Sequence, residues 1–343
     1  MIYTMTLNPA VDKTIELKQL EAGSLNKVQR CITSPGGKGI NVSMTLKALG
    51  MDSVALGLAG GETGNWILKA LDQAGIPNRF VQIPEETRTN YKIMEQNGTL
   101  TELNMSGVPV SRTAVLQLLE LLEQRVVPGD LVILSGSVPP GVPADIYRTM
   151  TELVHRQGGL VFLDADGELL RQGIQAKPEL IKPNREEALR LLEAGARDLE
   201  NRQAGTGGEQ LTGEPFADEP FTGEPHITKA LLAAGASLTQ TGIACVLLSD
   251  GSRGAYLFEK SQKESCLYAP ALPVTPRSVV GAGDSMLAAW AYCMEKGLSA
   301  KETFRYALAV SAATVETEGT TPADREAVER LLPMVSTKRL PLC

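Results

Sequence analysis

The sequence predicts a mixed α/β protein, a mostly parallel sheet covered on both faces by helices. Three observations carry that expectation. Short β-branched runs alternate with amphipathic helical stretches along most of the chain, as βαβ units require. The strand-like runs end in small or polar residues, the composition expected where strand carboxyl ends form a ligand site. The chain has 343 residues, 43% hydrophobic and 21% charged, which are ordinary globular values and suit one large domain or two.

Taken in order, residues 2–7 read as a buried strand, 39–49 as an amphipathic helix, 53–57 as a strand and 65–74 as a helix. Further strands fall at 130–136, 159–165, 180–184 and 243–250, with helical stretches at 111–125, 144–157, 185–193 and about 227–238 between or before them. Residues 14–34 and 80–104 are alternating β sequence without helices. They make either a small antiparallel sheet projecting from the main one or ordinary edge strands. Residues 196–226 are rich in Gly, Glu and Pro, carry the near-repeat TGEPF and TGEPH, and lack an apolar period. They read as a surface insertion, either a solvated loop or a partner-binding segment.

Composition excludes several chemistries. A formal net charge of −7, with two Trp, seven Tyr and six Phe, argues against a nucleic-acid footprint or a base-stacking platform. His155 and His226 are the only imidazoles, so a histidine-built metal site or a Ser-His-Asp triad has little material. Five scattered cysteines without CxxC spacing read as reduced thiols. Apolar stretches fall short of a membrane span and the start of the chain lacks signal-peptide character, so a cytoplasmic location is expected.

The strongest local signal is GAGDSMLAAW, where Gly281, Ala282 and Gly283 precede Asp284 and an apolar helix. A glycine-rich helix start leaves backbone N–H groups open at the positive end of the helix dipole, which suits phosphoryl oxygens. Asp284 fits either an N-cap or a base that takes a hydroxyl proton during phosphoryl transfer.

Other motifs are weaker singly. In TSPGGKGINVS, Gly36, Gly37 and Gly39 allow close backbone approach, and Asn41 can donate and accept toward hydroxyls. It is not a Walker A loop, and GLAGGETG does not follow GxGxxG. In KPNREE, Asn184 and Glu187 lie three apart at a helix start. They are either a reciprocal cap or an oxygen pair holding hydrated Mg²⁺ near ATP phosphates. LLSDGSRGAYLF reads as a strand, a glycine turn and a strand.

The order TLNPAVD, GGKGINVS, TRTNYKI, SGSVPPG, KPNREE, SDGSRGA, GAGDSM resembles the ribokinase-like (PfkB) sugar kinase family from end to end. The likeness is closest to the branch of ketohexose-phosphate kinases that takes in 1-phosphofructokinase, tagatose-6-phosphate kinase and the minor 6-phosphofructokinase. It covers residues 1–195 and 227–333. The resemblance implies a ribokinase-like three-layer α/β/α core with a mostly parallel central sheet, plus a small β-sheet lid that often pairs with a second subunit. The core would be residues 1–13, 35–79 and 105–333, and the lid 14–34 and 80–104.

The resemblance also implies residue roles. Asp284 would be the catalytic base, and Gly281, Ala282 and Gly283 the anion hole. Asp12, Gly37 and Asn41 would hold sugar hydroxyls, and Lys27, Arg88 and Ser137 the existing phosphate, with Lys38 a further cation. Lys182, Asn184 and Glu187 would serve ATP phosphates and Mg²⁺, the latter through water. Ser249, Gly251 and Gly254 would line the nucleotide site, with Ser311 near the adenine. Some relatives bind a monovalent cation near the anion hole, and Ser278 and Val280 occupy comparable positions. Trp290 and the 196–226 segment depart from the family pattern. The activity implied is ATP-dependent phosphorylation of a ketohexose phosphate, foremost fructose 1-phosphate. Tagatose 6-phosphate and fructose 6-phosphate are alternatives, and an inactive sugar-phosphate sensor is the alternative outside enzymes.

Overall fold

The computed structural model describes residues 1–204, 220–221 and 224–342. From the first residue the chain runs through β1 (Ile2–Thr6), β2 (Ala10–Leu17), β3 (Arg30–Gly36) and α1 (Lys38–Ala48). It continues through β4 (Val54–Gly60), α2 (Gly61–Gln73), β5 (Asn78–Ile83), β6 (Thr89–Glu95) and β7 (Leu100–Leu103). Next come α3 (Arg112–Arg125), β8 (Leu131–Ser135), α4 (Ile146–Arg156), β9 (Leu160–Asp164), α5 (Gly167–Gly173), β10 (Leu180–Ile181) and α6 (Arg185–Ala204). The last third holds β11 (Pro220–Phe221), β12 (Glu224–Thr228), α7 (Lys229–Gln240), β13 (Cys245–Ser249), β14 (Ala255–Glu259) and β15 (Ser265–Ala269). It closes with α8 (Ala282–Glu295), α9 (Ala300–Val315), α10 (Arg325–Leu331) and β16 (Lys338–Pro341).

The main sheet has ten strands in the order β16-β15-β14-β13-β10-β9-β8-β1-β4-β5. Strands from β13 to β5 pair in parallel, and β14, β15 and β16 close one edge antiparallel. Residues alternate between faces, so a strand buried on both sides is apolar throughout. In β8, Val132 and Leu134 pack with α3, α4 and α7 through Leu118, Met150 and Leu231, whereas Leu131 and Ile133 pack with α1, α8 and α9 through Leu46, Leu287 and Phe304. The result is the expected three-layer α/β/α core. Trp290 is buried in the second of these layers.

A second, four-stranded sheet has the order β3-β2-β6-β7. The β2–β3 and β6–β7 pairs are antiparallel, but β2 and β6 run parallel. That corrects the all-antiparallel expectation: between β3 and β6 the chain passes through the main sheet and returns in the direction of β2. Residues 80–83, grouped by sequence with this small sheet, belong to β5, which extends the main sheet beside β4 from Ala55↔Asn78 to Gly60↔Ile83.

Three boundaries differ from those the sequence suggests. Helix α2 begins at Gly61 rather than residue 65, because the Glu86 carboxylate accepts from the Glu62 and Thr63 backbone N–H groups and so caps the glycine-rich turn. Strand β10 ends at Ile181, two residues before Pro183, which has no N–H to extend the ladder. Helix α6 runs on to Ala204, so the first part of the 196–226 segment is helical. β11 and β12 pair antiparallel, and the rest of the TGEPF and TGEPH segment lies outside the described residues. Among the described residues no helix is long and apolar enough to cross a membrane, and Cys31, Cys245, Cys266 and Cys293 are free thiols.

Candidate active site

The carboxyl ends of β1, β8, β9 and β10 open into a cavity of about 440 Å³ lined by polar side chains. It lies where the strand order reverses about β1, with β4 on one side and β8 on the other, the crevice where open α/β sheets bind ligands. Of the residues singled out in the sequence, Asp12, Gly37, Lys38, Asn41, Arg88, Ser137, Lys182, Gly281, Gly283 and Asp284 line it. Among its lining residues, the buried atoms Thr6 Oγ1, Ser135 Oγ and Arg88 Nε have neither a hydrogen-bond nor an ion-pair partner.

Asp284 is buried in the first turn of α8. It does not cap the helix: Gly281 takes the N-cap position in the left-handed region (φ 82°), which spares it the Cβ clash of that conformation. The carboxylate instead accepts a hydrogen bond of 2.7 Å from Asn41 Nδ2 on α1. Burial, reinforced by the negative charge of Asp164, pushes its pKa up to about 6, against the opposing pull of Lys38, the Asn41 bond and Lys182.

Asp164, at the end of β9, is the centre of charge in the cavity. It meets Lys38 Nζ at 3.0 Å and Lys182 Nζ at 3.1 Å. Burial alone would raise its pKa, but the two ammonium groups more than offset that and hold it below the ordinary value. Asp164 in turn raises the pKa of Lys38, which is held charged beside Asp284. The Lys182 ammonium also lies against Gly283, where a Cβ would stand 3.0 Å from Nζ. A cation there would be repelled by the positive end of α8 without Asp164 behind it.

The small sheet forms the facing wall. Arg88, Asn90 and Lys92 alternate onto one side of the β6 segment. Asp12 on β2 is paired there with Lys92 Nζ at 2.7 Å and accepts from Asn90 Nδ2 at 3.1 Å. Arg88 donates to the Asn8 and Met105 carbonyls through its two terminal nitrogens, and its Nε has no partner. Gly37 (φ 117°) lies so close to β1 that a Cβ would fall 2.6 Å from Thr6 Cγ2. Lys27 is not brought there; it sits exposed on the loop between β2 and β3.

A second cavity of about 460 Å³ lies on the other side of the α8 N-terminus. Asn184, Ser249, Gly251, Gly254, Ser311, Ala282 and Gly283 line it, with Leu272, Val274, Met286 and Leu308 supplying an apolar wall. Gly283 lines both cavities. Asn184 and Glu187 form the reciprocal cap: the Asn184 N–H donates to Glu187 Oε2 at 2.8 Å, and the Glu187 N–H donates to Asn184 Oδ1 at 2.9 Å. Glu187 lines neither cavity; burial raises its pKa, with the Asn184 bond opposing and Asp164 adding to the shift. Ser278 Oγ accepts from the Val280 N–H at 3.2 Å, and Val280 reaches the polar cavity.

Sequence reasoning missed Asp164, Asn90, Lys92, Asn8, Thr6 and Ser135. The two-residue alternation from Arg88 would have found Asn90 and Lys92. Asp164 and Ser135 ended strand-like runs, and that position alone was their signal.

Residues 5–327 match the pfkB family carbohydrate kinase. The chain is 33% identical over 314 residues to a 1-phosphofructokinase of Borreliella burgdorferi, covering 92% of this chain and 91% of that one. It is 33% identical over 342 residues to a 1-phosphofructokinase of Bacillus subtilis, covering 99% and 100%. The solved phosphofructokinase-2 of Escherichia coli, in complex with potassium, superposes with a TM-score of 0.82 at 25% identity over 97% of this chain and 98% of that one. Two cavities meeting at a glycine-rich helix start, and a family match across nearly the whole chain, agree: this protein belongs to the PfkB family of carbohydrate kinases.

Proposed function

We propose that this chain transfers the γ-phosphoryl group of ATP to the free primary hydroxyl of fructose 1-phosphate, giving fructose 1,6-bisphosphate and ADP. ATP as donor and a divalent cation go with the carbohydrate-kinase family. One observation carries the reading: Gly283 faces both the polar cavity, which holds Asp284, and the apolar-walled one, so two ligands can meet at the α8 N-terminus. The 1-phosphofructokinases among its relatives support the choice of sugar phosphate.

In this reading the sugar phosphate occupies the polar cavity. Asp12, Gly37 and Asn41 hold hydroxyls, and Arg88 with Ser137 and Lys38 binds the existing phosphate. The nucleotide occupies the second cavity, its base against the apolar wall near Ser311 and its phosphates toward Lys182, Ser249, Gly251 and Gly254. The sugar hydroxyl oxygen forms a bond to the γ-phosphorus as the bond to the ADP oxygen breaks, and its proton passes to Asp284 Oδ. The N–H groups of Gly281, Ala282 and Gly283 face the charge that builds on the transferred group.

In this reading Mg²⁺ would be held through water by the capped pair at the α6 start, where Asn184 lines the second cavity and Glu187 stands behind it. Asn184 and Glu187 offer hard oxygen atoms, and among the described residues no group of three or more His, Cys, Asp or Glu forms a protein-only metal site. An ion that keeps several waters and leans on substrate phosphates suits such a pair. When bound, Mg²⁺ neutralises phosphate charge. A monovalent cation beside Ser278 and Val280 belongs to the same proposal, and comparing turnover in potassium and tetramethylammonium salts tests it.

The small sheet, residues 14–34 and the β6–β7 hairpin, is proposed as a lid that excludes water from the polar cavity. It is also the proposed homodimer face: Leu25, Val28, Leu103 and Met105 leave large apolar surface exposed there. Sedimentation of a Leu25→Asp, Val28→Asp variant checks that, with a monomer expected.

A coupled ADP-release assay comparing fructose 1-phosphate, fructose 6-phosphate and tagatose 6-phosphate by kcat/KM tests the function. The highest value is expected with fructose 1-phosphate. Release with none of them would replace the kinase reading by that of a sugar-phosphate sensor.

A further inference from the structure

Asp250 stands just past β13, and its carboxylate is nearly sealed from solvent, with 1% of its side chain exposed. Arg185, the first residue of α6, grips it in a fork: Nε donates to Oδ1 at 2.8 Å and Nη2 donates to Oδ2 at 2.9 Å. Arg253 adds a third donor, Nε to Oδ1 at 3.1 Å. None of the roles above uses this carboxylate.

The two segments it joins are neighbours that both contribute to the lining of the second cavity. One is the turn into α6, which carries Asn184 and Glu187; the other is the Gly251–Arg253 turn, which presents Gly251, Ser252 and Gly254. Strand pairing holds them together only as far as the Asn184↔Ser249 bridge and the Ser249 N–H to Pro183 carbonyl bond of 3.0 Å. Beyond that, the Asp250 fork is a side-chain tie between them. Burying a charge pair is a poor way to gain stability, since apolar residues of similar volume do as well or better, whereas a bidentate fork fixes distance and angle.

We propose that Asp250 is a positioning residue of the nucleotide site: through Arg185 it fixes the Asn184 turn against the Gly251–Gly254 turn at the spacing ATP requires. This rests on the reading of the second cavity as the ATP site. Asp250 touches no ligand in this account and acts only through the two turns.

The test uses the full chain, with Asp250→Asn, Arg185→Gln and the double variant, each checked for folding by circular dichroism. KM for ATP should rise about 10-fold in each single variant, while KM for fructose 1-phosphate stays within about twofold. The double variant should be no worse than the worse single one, because either change alone opens the tie. Titration calorimetry with ATP and Mg²⁺, without sugar phosphate, should show the same weakening. Equal loss for both substrates, or ATP binding unchanged in Asp250→Asn, overturns the inference and leaves the cavity assignment standing. If the unaltered protein binds no ATP, the cavity assignment itself fails and this inference with it.

Discussion

Asn41 Nδ2 donates to Asp284 Oδ2 at 2.7 Å, a contact between residues 243 positions apart that ties α1 to α8 beneath the polar cavity. It holds a carboxylate that burial would otherwise push further toward its neutral form. In the proposed mechanism Oδ1 of Asp284 is the oxygen that receives the proton. Orientation and acidity of the proposed base thus depend on one amide from the far end of the chain.

A pH dependence follows. A base acts only as its carboxylate, so kcat/KM for fructose 1-phosphate should rise with pH through about 6, the value to which Asp284 is pushed. The substrate's own phosphate titrates near pH 6 as well, so the limb alone does not identify its owner. Asn41→Leu removes a bond that lowers the Asp284 pKa, so the acid limb should move to higher pH. A profile measured for both enzymes with the same substrate checks this, since the substrate's ionisation is common to both. An unmoved limb would assign it elsewhere.

Asp164 offers a stability test with the opposite sign. Its folded pKa is lowered, so it stabilises the fold above its unfolded pKa, and that contribution is lost as pH falls through the folded value. Asp164→Asn leaves Lys182 buried without its counter-charge and should cost about 3 kcal/mol at pH 7 in urea unfolding. Lys38 is 39% exposed, and its pair with Asp164 adds less. The variant's cost should shrink in acid, and its activity limb should move to lower pH because Asp164 no longer opposes ionisation of Asp284.

Arg88 and Lys27 are separated by the fold although the sequence grouped them. Arg88→Ala should raise KM for the sugar phosphate about 10–100-fold, the worth of a charge-assisted hydrogen bond, with KM for ATP nearly unchanged. Lys27 lies outside the cavity of its own chain, between the exposed Leu25 and Val28. An effect of Lys27→Ala on the same KM that vanishes in the Leu25→Asp, Val28→Asp variant would place Lys27 in the site of a second copy, and one that persists there would place it in its own chain's lid. Initial rates in these backgrounds check both.

The elements whose physics is local were legible in the sequence. The apolar runs at β1, β8, β9 and β13, and the glycine-rich start of α8, announce themselves by composition and order. What depended on distant partners did not. Residues 80–83 alternate like a small-sheet strand, but pairing with β4 puts them in the main sheet. Helix α2 starts early only because Glu86, far along the chain, accepts from its first N–H groups. The Asn184 and Glu187 spacing allowed a cap or a cation pair, and the structure realises the cap, with Asn184 lining the second cavity and Glu187 lining neither. Asp164 is an ordinary strand-end residue until Lys38 and Lys182, from two other elements, close on it.

The central claim is that Asp284 takes the proton as the sugar hydroxyl attacks ATP. Turnover of Asp284→Asn, with ATP binding verified by calorimetry, tests it most directly. The amide keeps the shape and the Asn41 contact but cannot accept the proton. Turnover should fall by about 10²–10⁴-fold while ATP affinity is kept. An Asp284→Asn enzyme that binds ATP and turns over at a near-normal rate would contradict the account.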